Sequence, residues 1–354
     1  MADPVDPTVR DEWAVQCMQR QLVVLDELAA RATEPRGWLA VARHARSYAR
    51  HLDTWRGRAF PGAKAAMERH AVELADRIRR ADAEVAGVDP EELDAARAAL
   101  GLRLAVIGKG GAGKTVISST LARLLARRGR NVFACDLDVN PGLAISLGLP
   151  PTEAGLPPEA IEEHPGSVYG WQLTAAMRPI DVVERFAMVA PDGVRFLGLG
   201  KLSTSDKSAA KQSVAPLVHL LLGIGEPDWD VIADLEAGPT TPFERYHAFS
   251  EDVVVVVGPA WRSAMTARRL LPMVEDRRLT VVSNRFRDEP DHPGLSAQVR
   301  IPFDPDLAQV EREGLSPLDE CPDSPAIAAI DRLVALFTSA ARVAAPDNNQ
   351  EVPV

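Results

Sequence analysis

The feature that most constrains the fold is a glycine-rich segment between two apolar stretches. Residues 108–115 read GKGGAGKT. The preceding LRLAVI has the continuous hydrophobicity of a buried strand, and the following TVISSTLARLLARRG has apolar positions at helical spacing. A glycine-rich turn from a strand into a helix gathers backbone N–H groups at the helix N-terminus, where they bind anions. In this context the pattern G-x-x-x-x-G-K-[ST] predicts a phosphate-binding loop in an α/β domain, and the flanking elements disfavour a chance turn.

The residue types of this loop predict separate tasks. Lys114 is expected to reach the β- and γ-phosphates of a nucleotide, and the hydroxyl of Thr115 to hold Mg²⁺. The loop and the first helical turn are expected to surround the phosphates through Gly108, Gly110, Gly111, Ala112, Gly113, Lys114, Thr115 and Val116.

Composition indicates a globular protein of two domains, or of one large domain with an appendage. The chain has 354 residues, of which 46% are hydrophobic and 25% charged. Its apolar runs are far shorter than the ~20 residues of a membrane helix, and its acidic N-terminus does not resemble a signal peptide, so we expect a cytoplasmic protein with no membrane partner. Three scattered cysteines predict neither a disulfide framework nor a zinc cluster. A net charge of −10 disfavours DNA as a partner, although it leaves a local basic patch open.

The pattern of apolar residues changes near residue 100. Residues 1–100 have apolar positions at helical spacing and predict a helical N-terminal domain for partner recognition or regulation. We expect this bundle to bury its own apolar stripes. Asp89 is the predicted N-cap of its last helix. Three tryptophans fit core anchors better than an exposed docking surface: Trp13, Trp38 and Trp55.

Residues 101–343 alternate short β-rich runs with helical stretches. The runs are LRLAVIG, NVFACDLD, VRFLGLG, DVIADLEAG, DVVVVVG, LTVVSNRF and AQVRIPF. Continuous apolar strands separated by helices predict a doubly wound, mostly parallel sheet. Residues 150–168 are proline-rich and acidic and are expected to form a surface excursion, and residues 344–354 a disordered tail.

Acidic residues follow two of these strands. Asp136 and Asp138 end the second run, where Asp138 is the candidate to orient an attacking water and Asp136 to support the hydration shell of Mg²⁺. Both could instead be caps of the strand end. Asp234 ends the fourth run, where a Walker B carboxylate is expected to reach Mg²⁺ through water, and Gly238 is expected to present its N–H to the γ-phosphate.

The second lysine of the loop, Lys109, gives the pattern K-G-G-x-G-K-[ST]. This pattern resembles the deviant Walker A ATPases of the SIMIBI class, which include the MinD and ParA positioning proteins, nitrogenase iron protein and the CooC nickel-insertion ATPase. The resemblance covers about residues 102–343. It implies that Lys109 is catalytic, crossing the interface of an ATP-bound homodimer to contact the partner's nucleotide phosphates.

The residues of the later motifs are similar to those of CooC-like ATPases. The segments DLDVNPGL and DLEAG match their two switch regions. An Asn at the end of a late strand can pair with an adenine edge, and the resemblance assigns this part to Asn284, with Arg285 stacking on the base. It further implies that backbone groups near Pro302 and Phe303 line the adenine pocket. We therefore expect ATP and Mg²⁺ as cofactors.

One departure affects the functional prediction. The CooC-like metal inserters carry a C-x-C pair where this chain reads GKLSTSDKSAAKQSVAPL, so the thiolates that a soft-metal site needs are missing from this segment. The sequence predicts an ATP-hydrolysing dimeric switch that drives maturation or remodelling of an unknown client protein, bound through the N-terminal helices. The alternative is a ParA- or MinD-like positioning ATPase. A scaffold that binds nucleotide without turnover is disfavoured by the joint presence of Lys109, Asp138 and Asp234.

Overall fold

The structure is a computed structural model that describes residues 6–56, 60–138, 140–152, 155–167, 170–200, 208–235 and 246–339. Its helices are α1 (Pro7–Arg31), α2 (Pro35–Arg56), α3 (Lys64–Val85), α4 (Pro90–Ala98), α5 (Lys114–Arg127), α6 (Leu143–Ser146), α7 (Pro179–Phe186), α8 (Ser208–Gly223), α9 (Trp261–Leu270), α10 (Pro305–Glu313), α11 (Pro317–Glu320) and α12 (Pro325–Thr338). Its strands are β1 (Arg103–Gly108), β2 (Asn131–Leu137), β3 (Ile161–Glu163), β4 (Trp171–Leu173), β5 (Met188–Val189), β6 (Arg195–Gly198), β7 (Trp229–Leu235), β8 (Asp252–Val257), β9 (Arg278–Phe286) and β10 (Val299–Pro302).

The main sheet confirms the predicted doubly wound fold. Its strand order is β10-β9-β8-β1-β7-β2-β6-β5. All neighbouring strands are parallel except β5 and β6, which are antiparallel. Strand β1 lies between β7 and β8, which follow it much later in the chain. In open α/β sheets, ligands bind beyond the carboxyl ends of the strands at such a crossover, so the loop after β1 has the position of a ligand site.

The two faces of the sheet bury separate hydrophobic clusters. Successive β1 side chains alternate between them, because neighbouring residues of a strand point to opposite faces. Leu104 and Val106 belong to the cluster that includes residues of α5 and α12, whereas Ala105 and Ile107 belong to the other. Helix α5 is thereby fixed directly behind the glycine-rich loop.

The N-terminal helices share the second of these clusters. Buried residues of α1, α2 and α3, among them Trp13, Trp55 and Leu74, form one cluster with those of the sheet. A smaller cluster lies between the three helices themselves and contains Leu28, Val41, Ala42 and Ala81. The expectation that the bundle buries its apolar stripes within itself therefore describes only part of its packing.

Close polar contacts accompany this shared core. The indole Nε1 of Trp13 donates to the side-chain oxygen of Gln172 at 3.0 Å, and the hydroxyl of Ser47 donates to the carbonyl of Ala248 at 3.0 Å. A Cβ added to Gly166 would lie 2.4 Å from the carbonyl oxygen of Val9, so α1 approaches the backbone before β4 closely. Burial of Trp13 and Trp55 confirms their predicted core role, whereas Trp38 is partly exposed.

Two local predictions have clear outcomes. The Asp89 side chain accepts from the N–H groups of Glu91 and Glu92, which confirms it as the N-cap of α4. Part of the predicted surface excursion of residues 150–168 is the strand β3, which pairs with β4 in an antiparallel hairpin that carries Gln172. Among the described helices, none is long and apolar enough to cross a membrane. The expected tail lies outside the described residues.

Candidate nucleotide-binding site

The loop between β1 and α5 needs glycine at two positions for steric reasons. Gly108 has φ +155°, and a Cβ there would lie 2.6 Å from the carbonyl oxygen of Val256. Gly113 has φ +92°, and a Cβ there would lie 2.1 Å from the amide nitrogen of Asn284. Residues other than glycine rarely adopt such backbone conformations. The glycines therefore let the loop pass close to β8 and β9, with its backbone at the N-terminus of α5.

The two lysines of the loop lie in different environments. Lys114 is the first residue of α5 and only 5% exposed. Lys109 is partly exposed, and its Nζ donates to the adjacent Gly110 carbonyl at 3.3 Å. A bond to the neighbouring residue of an open loop holds a long side chain weakly. Lys114 is thus built into the site, whereas Lys109 stands at its front.

A buried carboxylate faces the hydroxyl of the loop. Asp234 at the end of β7 is 1% exposed, and its Oδ2 accepts from the Thr115 hydroxyl at 2.6 Å. Its Oδ1 has no hydrogen-bond partner among the residues that the structure describes. Burial raises the pKa of Asp234, and the nearby carboxylate of Asp136 raises it further, while Lys114 and the Thr115 hydroxyl lower it. This arrangement leaves negative charge incompletely compensated.

Asp136 lies beside Asp234, because the two residues are partners in the register of β2 and β7. Its Oδ1 accepts from the N–H of Asp138 at 3.0 Å, and its Oδ2 accepts from Gly142 at 3.1 Å and Leu143 at 3.0 Å. Burial raises the pKa of Asp136, and these backbone donors oppose the rise. Asp136 thus organises the loop that follows β2.

Asp138 is held in a different way. It is partly exposed, and its Oδ1 accepts from the N–H of Asn140 at 2.9 Å. Such a turn leaves its other oxygen for a ligand or for water. The structure therefore brings Asp136, Asp234 and Thr115 together, with Asp138 at the outer end of the group.

The residues present fit a bound Mg²⁺. Hard divalent cations take oxygen ligands, and in phosphate sites Mg²⁺ uses few protein ligands because water and phosphate supply the others. The buried, uncompensated Oδ1 of Asp234 and the Thr115 hydroxyl provide such oxygens. Across the described ranges, no group of three or more His, Cys, Asp or Glu side chains is arranged to hold a metal ion by itself.

A pocket opens beside the loop at the ends of β9 and β10. It is lined by several residues of the predicted site, namely Val116, Asn284, Arg285, Pro302 and Phe303. The amide nitrogen of Asn284 donates to the carbonyl of Ala112 at 2.7 Å, so this side chain also braces the phosphate loop. The pocket has the position expected for a base whose phosphates lie on the loop. Gly238 lies outside the described residues.

Sequence reasoning missed other residues that line this pocket. They are Ile117, Ile301, Asp304, Leu307, Ala308, Glu311, Ala326 and Ile330. The apolar members were detectable as core positions of α5, β10, α10 and α12, but periodicity does not say which core positions border a cavity. Glu311 gave no signal at all, since a glutamate on an amphipathic helix is ordinarily a solvated residue.

Comparisons with known proteins agree with this geometry. The CobQ/CobB/MinD/ParA nucleotide-binding domain family matches residues 104–318. An uncharacterized ATP-binding protein of Methanocaldococcus jannaschii is 28% identical over 59% of this chain and 88% of its own length. The carbon monoxide dehydrogenase accessory protein CooC of Rhodospirillum rubrum is 28% identical over 62% of this chain and 91% of its own.

A solved structure supports the fold. The septum site-determining protein MinD of Pyrococcus horikoshii, complexed with Mg-ADP, superposes with a TM-score of 0.51 at 17% identity, covering 69% of this chain and 98% of that one. The matched span of residues 104–318 contains the glycine-rich loop, both buried aspartates and most of the residues that line the pocket. The chain therefore belongs to the CobQ/CobB/MinD/ParA family of nucleotide-binding P-loop domains.

Proposed function

We propose that this protein is a Mg²⁺-dependent ATPase that closes into a homodimer with ATP and drives maturation or remodelling of a client protein. The observation that carries the proposal is the contrast between Lys114 and Lys109. One lysine is buried at the start of α5, and the other is partly exposed at the front of the same loop. A cation in the second position suits an interaction with the nucleotide of a second copy.

Each polar residue of the site then has a part in turnover. Lys114 and the loop amides bind the phosphates, and Asp138 orients the attacking water. Mg²⁺, held by Thr115 and Asp234, would supply neutralisation of phosphate charge. Lys109 of the partner subunit stabilises the charge that develops on the transferred phosphoryl group, and it does so only when the dimer is closed.

Replacement of Lys109 by alanine tests the proposal. At protein concentrations low enough to keep the chain monomeric, we expect Lys109→Ala to bind ATP like the wild type, because its charge is needed only across the interface. At higher concentrations we expect loss of turnover and of ATP-dependent dimerisation. Lys64→Ala is the matched control, since Lys64 is exposed at the start of α3.

Two measurements decide the outcome. Titration with a fluorescent ATP analogue gives the affinity of the monomer, and sizing chromatography with phosphate release gives closure and turnover. Weaker binding by monomeric Lys109→Ala would place this lysine on its own nucleotide. Normal turnover and dimerisation by the variant would contradict the proposed dimeric mechanism.

The competing proposal is a ParA- or MinD-like positioning ATPase, which the family and the similarity to MinD also fit. Stimulation of turnover by DNA or by anionic liposomes favours positioning, whereas stimulation by a protein captured with the closed dimer favours client maturation.

The N-terminal helices are proposed as the region that binds the client. We infer an organisation of helical residues 1–100, an ATPase region of residues 101–343 and a tail.

A further inference from the structure

Strand β9 contains an irregularity next to the phosphate loop. Its pairing register with β10 shifts between Asn284 and Phe286, so that Arg285 is an extra residue in the strand. Arg285 has φ 61°, in the left-handed region that glycine occupies most easily. A bulge of this kind bends the strand and redirects one side chain, and bulges are common beside active sites.

The redirected guanidinium joins two parts of the site. Its Nη1 donates to the Gly111 carbonyl of the phosphate loop at 3.2 Å. Its Nη2 donates to the two carboxylate oxygens of Glu311 on α10, at 2.8 and 2.5 Å. The side chains of Arg285 and Glu311 are 34% and 25% exposed, so the pair is partly removed from solvent. Arg285 is therefore fixed at one end by the loop and at the other by α10.

Both members of this pair line the pocket beside the loop. Phe303 also lines this pocket, and its ring centroid lies 4.3 Å from the guanidinium carbon of Arg287. A planar guanidinium and an aromatic ring are the groups that proteins use to stack on nucleobases. Glu311 helps to fix the orientation of the guanidinium plane of Arg285, because an arginine held by fewer hydrogen bonds samples more rotamers.

We propose that Glu311 is a positioning residue for the base of the bound nucleotide. It holds the Arg285 guanidinium as one wall of the base pocket. The contact of Arg285 with Gly111 fixes the position of that wall relative to the loop that binds the phosphates. The inference rests on the proposed nucleotide site and extends it to a residue that acts on the base and not on the phosphates.

The test compares ATP with inorganic tripolyphosphate, which has the phosphate chain but no base. Calorimetric titrations measure both ligands with full-length wild type, Glu311→Gln and Glu313→Gln. Glu313 is exposed on the same helix and accepts from Gln309, so its change removes the same charge elsewhere. We expect Glu311→Gln to weaken ATP binding about tenfold with tripolyphosphate binding unchanged within about twofold, and Glu313→Gln to change neither.

A second variant protects the test against a folding defect. Arg285→Lys keeps the positive charge but lacks the planar face, so it should reproduce the selective loss of ATP affinity. Thermal melting verifies that each variant is folded. Equal weakening of ATP and tripolyphosphate, or unchanged ATP binding in both variants, would overturn the role of Glu311. A wild type that fails to bind ATP in the same titration would instead refute the proposed function itself.

Discussion

Because the N-terminal helices and the sheet share one hydrophobic cluster, we expect that replacing Trp13 destabilises both. Trp13 is 2% exposed, and its ring centroid lies 5.6 Å from that of Trp55 and 5.7 Å from that of His219 on α8. Replacement of a buried tryptophan by alanine costs about 3–5 kcal/mol. Loss of the indole donor also leaves the buried amide oxygen of Gln172 unpaired, which costs about 1–3 kcal/mol more.

Trp13→Ala should therefore lower the free energy of unfolding by about 4–8 kcal/mol, a large part of the 5–15 kcal/mol typical of a domain. Trp13→Phe keeps most of the apolar contact and should cost about 1–3 kcal/mol through the lost donor. Trp38→Ala is the control within the same helices, because Trp38 is partly exposed and packs on the smaller cluster. It should cost about 1–2 kcal/mol.

Urea denaturation, followed by circular dichroism and by binding of a fluorescent nucleotide, distinguishes a continuous core from two units that unfold separately. A continuous core predicts that both signals change in one transition and that Trp13→Ala moves them together. If Trp13→Ala instead melted the helical signal separately and nucleotide binding persisted to higher urea, the N-terminal helices would be an independent unit. The reasoning from the shared core would then be refuted.

Three further predictions concern the nucleotide site. Lys114→Ala should weaken ATP binding by roughly one to two orders of magnitude in an equilibrium titration, because a charge-assisted phosphate contact is lost. Asp138→Asn should bind ATP and close normally but lower turnover about 100-fold in a phosphate-release assay, and a closed dimer should accumulate on sizing chromatography. ATP should outcompete GTP for the site, because Asn284 can pair with adenine and the local N-R-F-R lacks the guanine-binding N-K-x-D pattern; equal displacement of labelled ATP by GTP would contradict this.

The sheet and the loop were predictable because their determinants are local. Parallel strands buried on both faces have continuous apolar sequences, and runs such as DVVVVVG became β-strands with every residue buried. The loop follows from residue types at fixed spacing, since the tight turns at Gly108 and Gly113 admit no side chain. Neither inference required knowledge of which elements meet in space.

The features that escaped prediction depend on tertiary contacts. The apolar stripe of α1 indicates that it is covered, but not that the sheet domain covers it. Strands β3 and β4 have three residues each, too few for a recognisable alternation. The bulge at Arg285 follows from the register of β9 against β10, and the sequence contains no glycine there to indicate the unusual φ.

The two buried aspartates show how far spacing can assign chemistry. Asp136 and Asp234 both end apolar runs, so similar roles near Mg²⁺ were predicted for them, and the structure makes them register partners. In the structure Asp136 uses both oxygens on backbone N–H groups, whereas Asp234 has one oxygen on Thr115 and one without a partner among the described residues. Hydrogen bonds from several N–H groups already stabilise the negative charge of a carboxylate, so its attraction for a cation is weaker. We therefore propose that Asp234 interacts with Mg²⁺ and that Asp136 shapes the loop that carries Asp138.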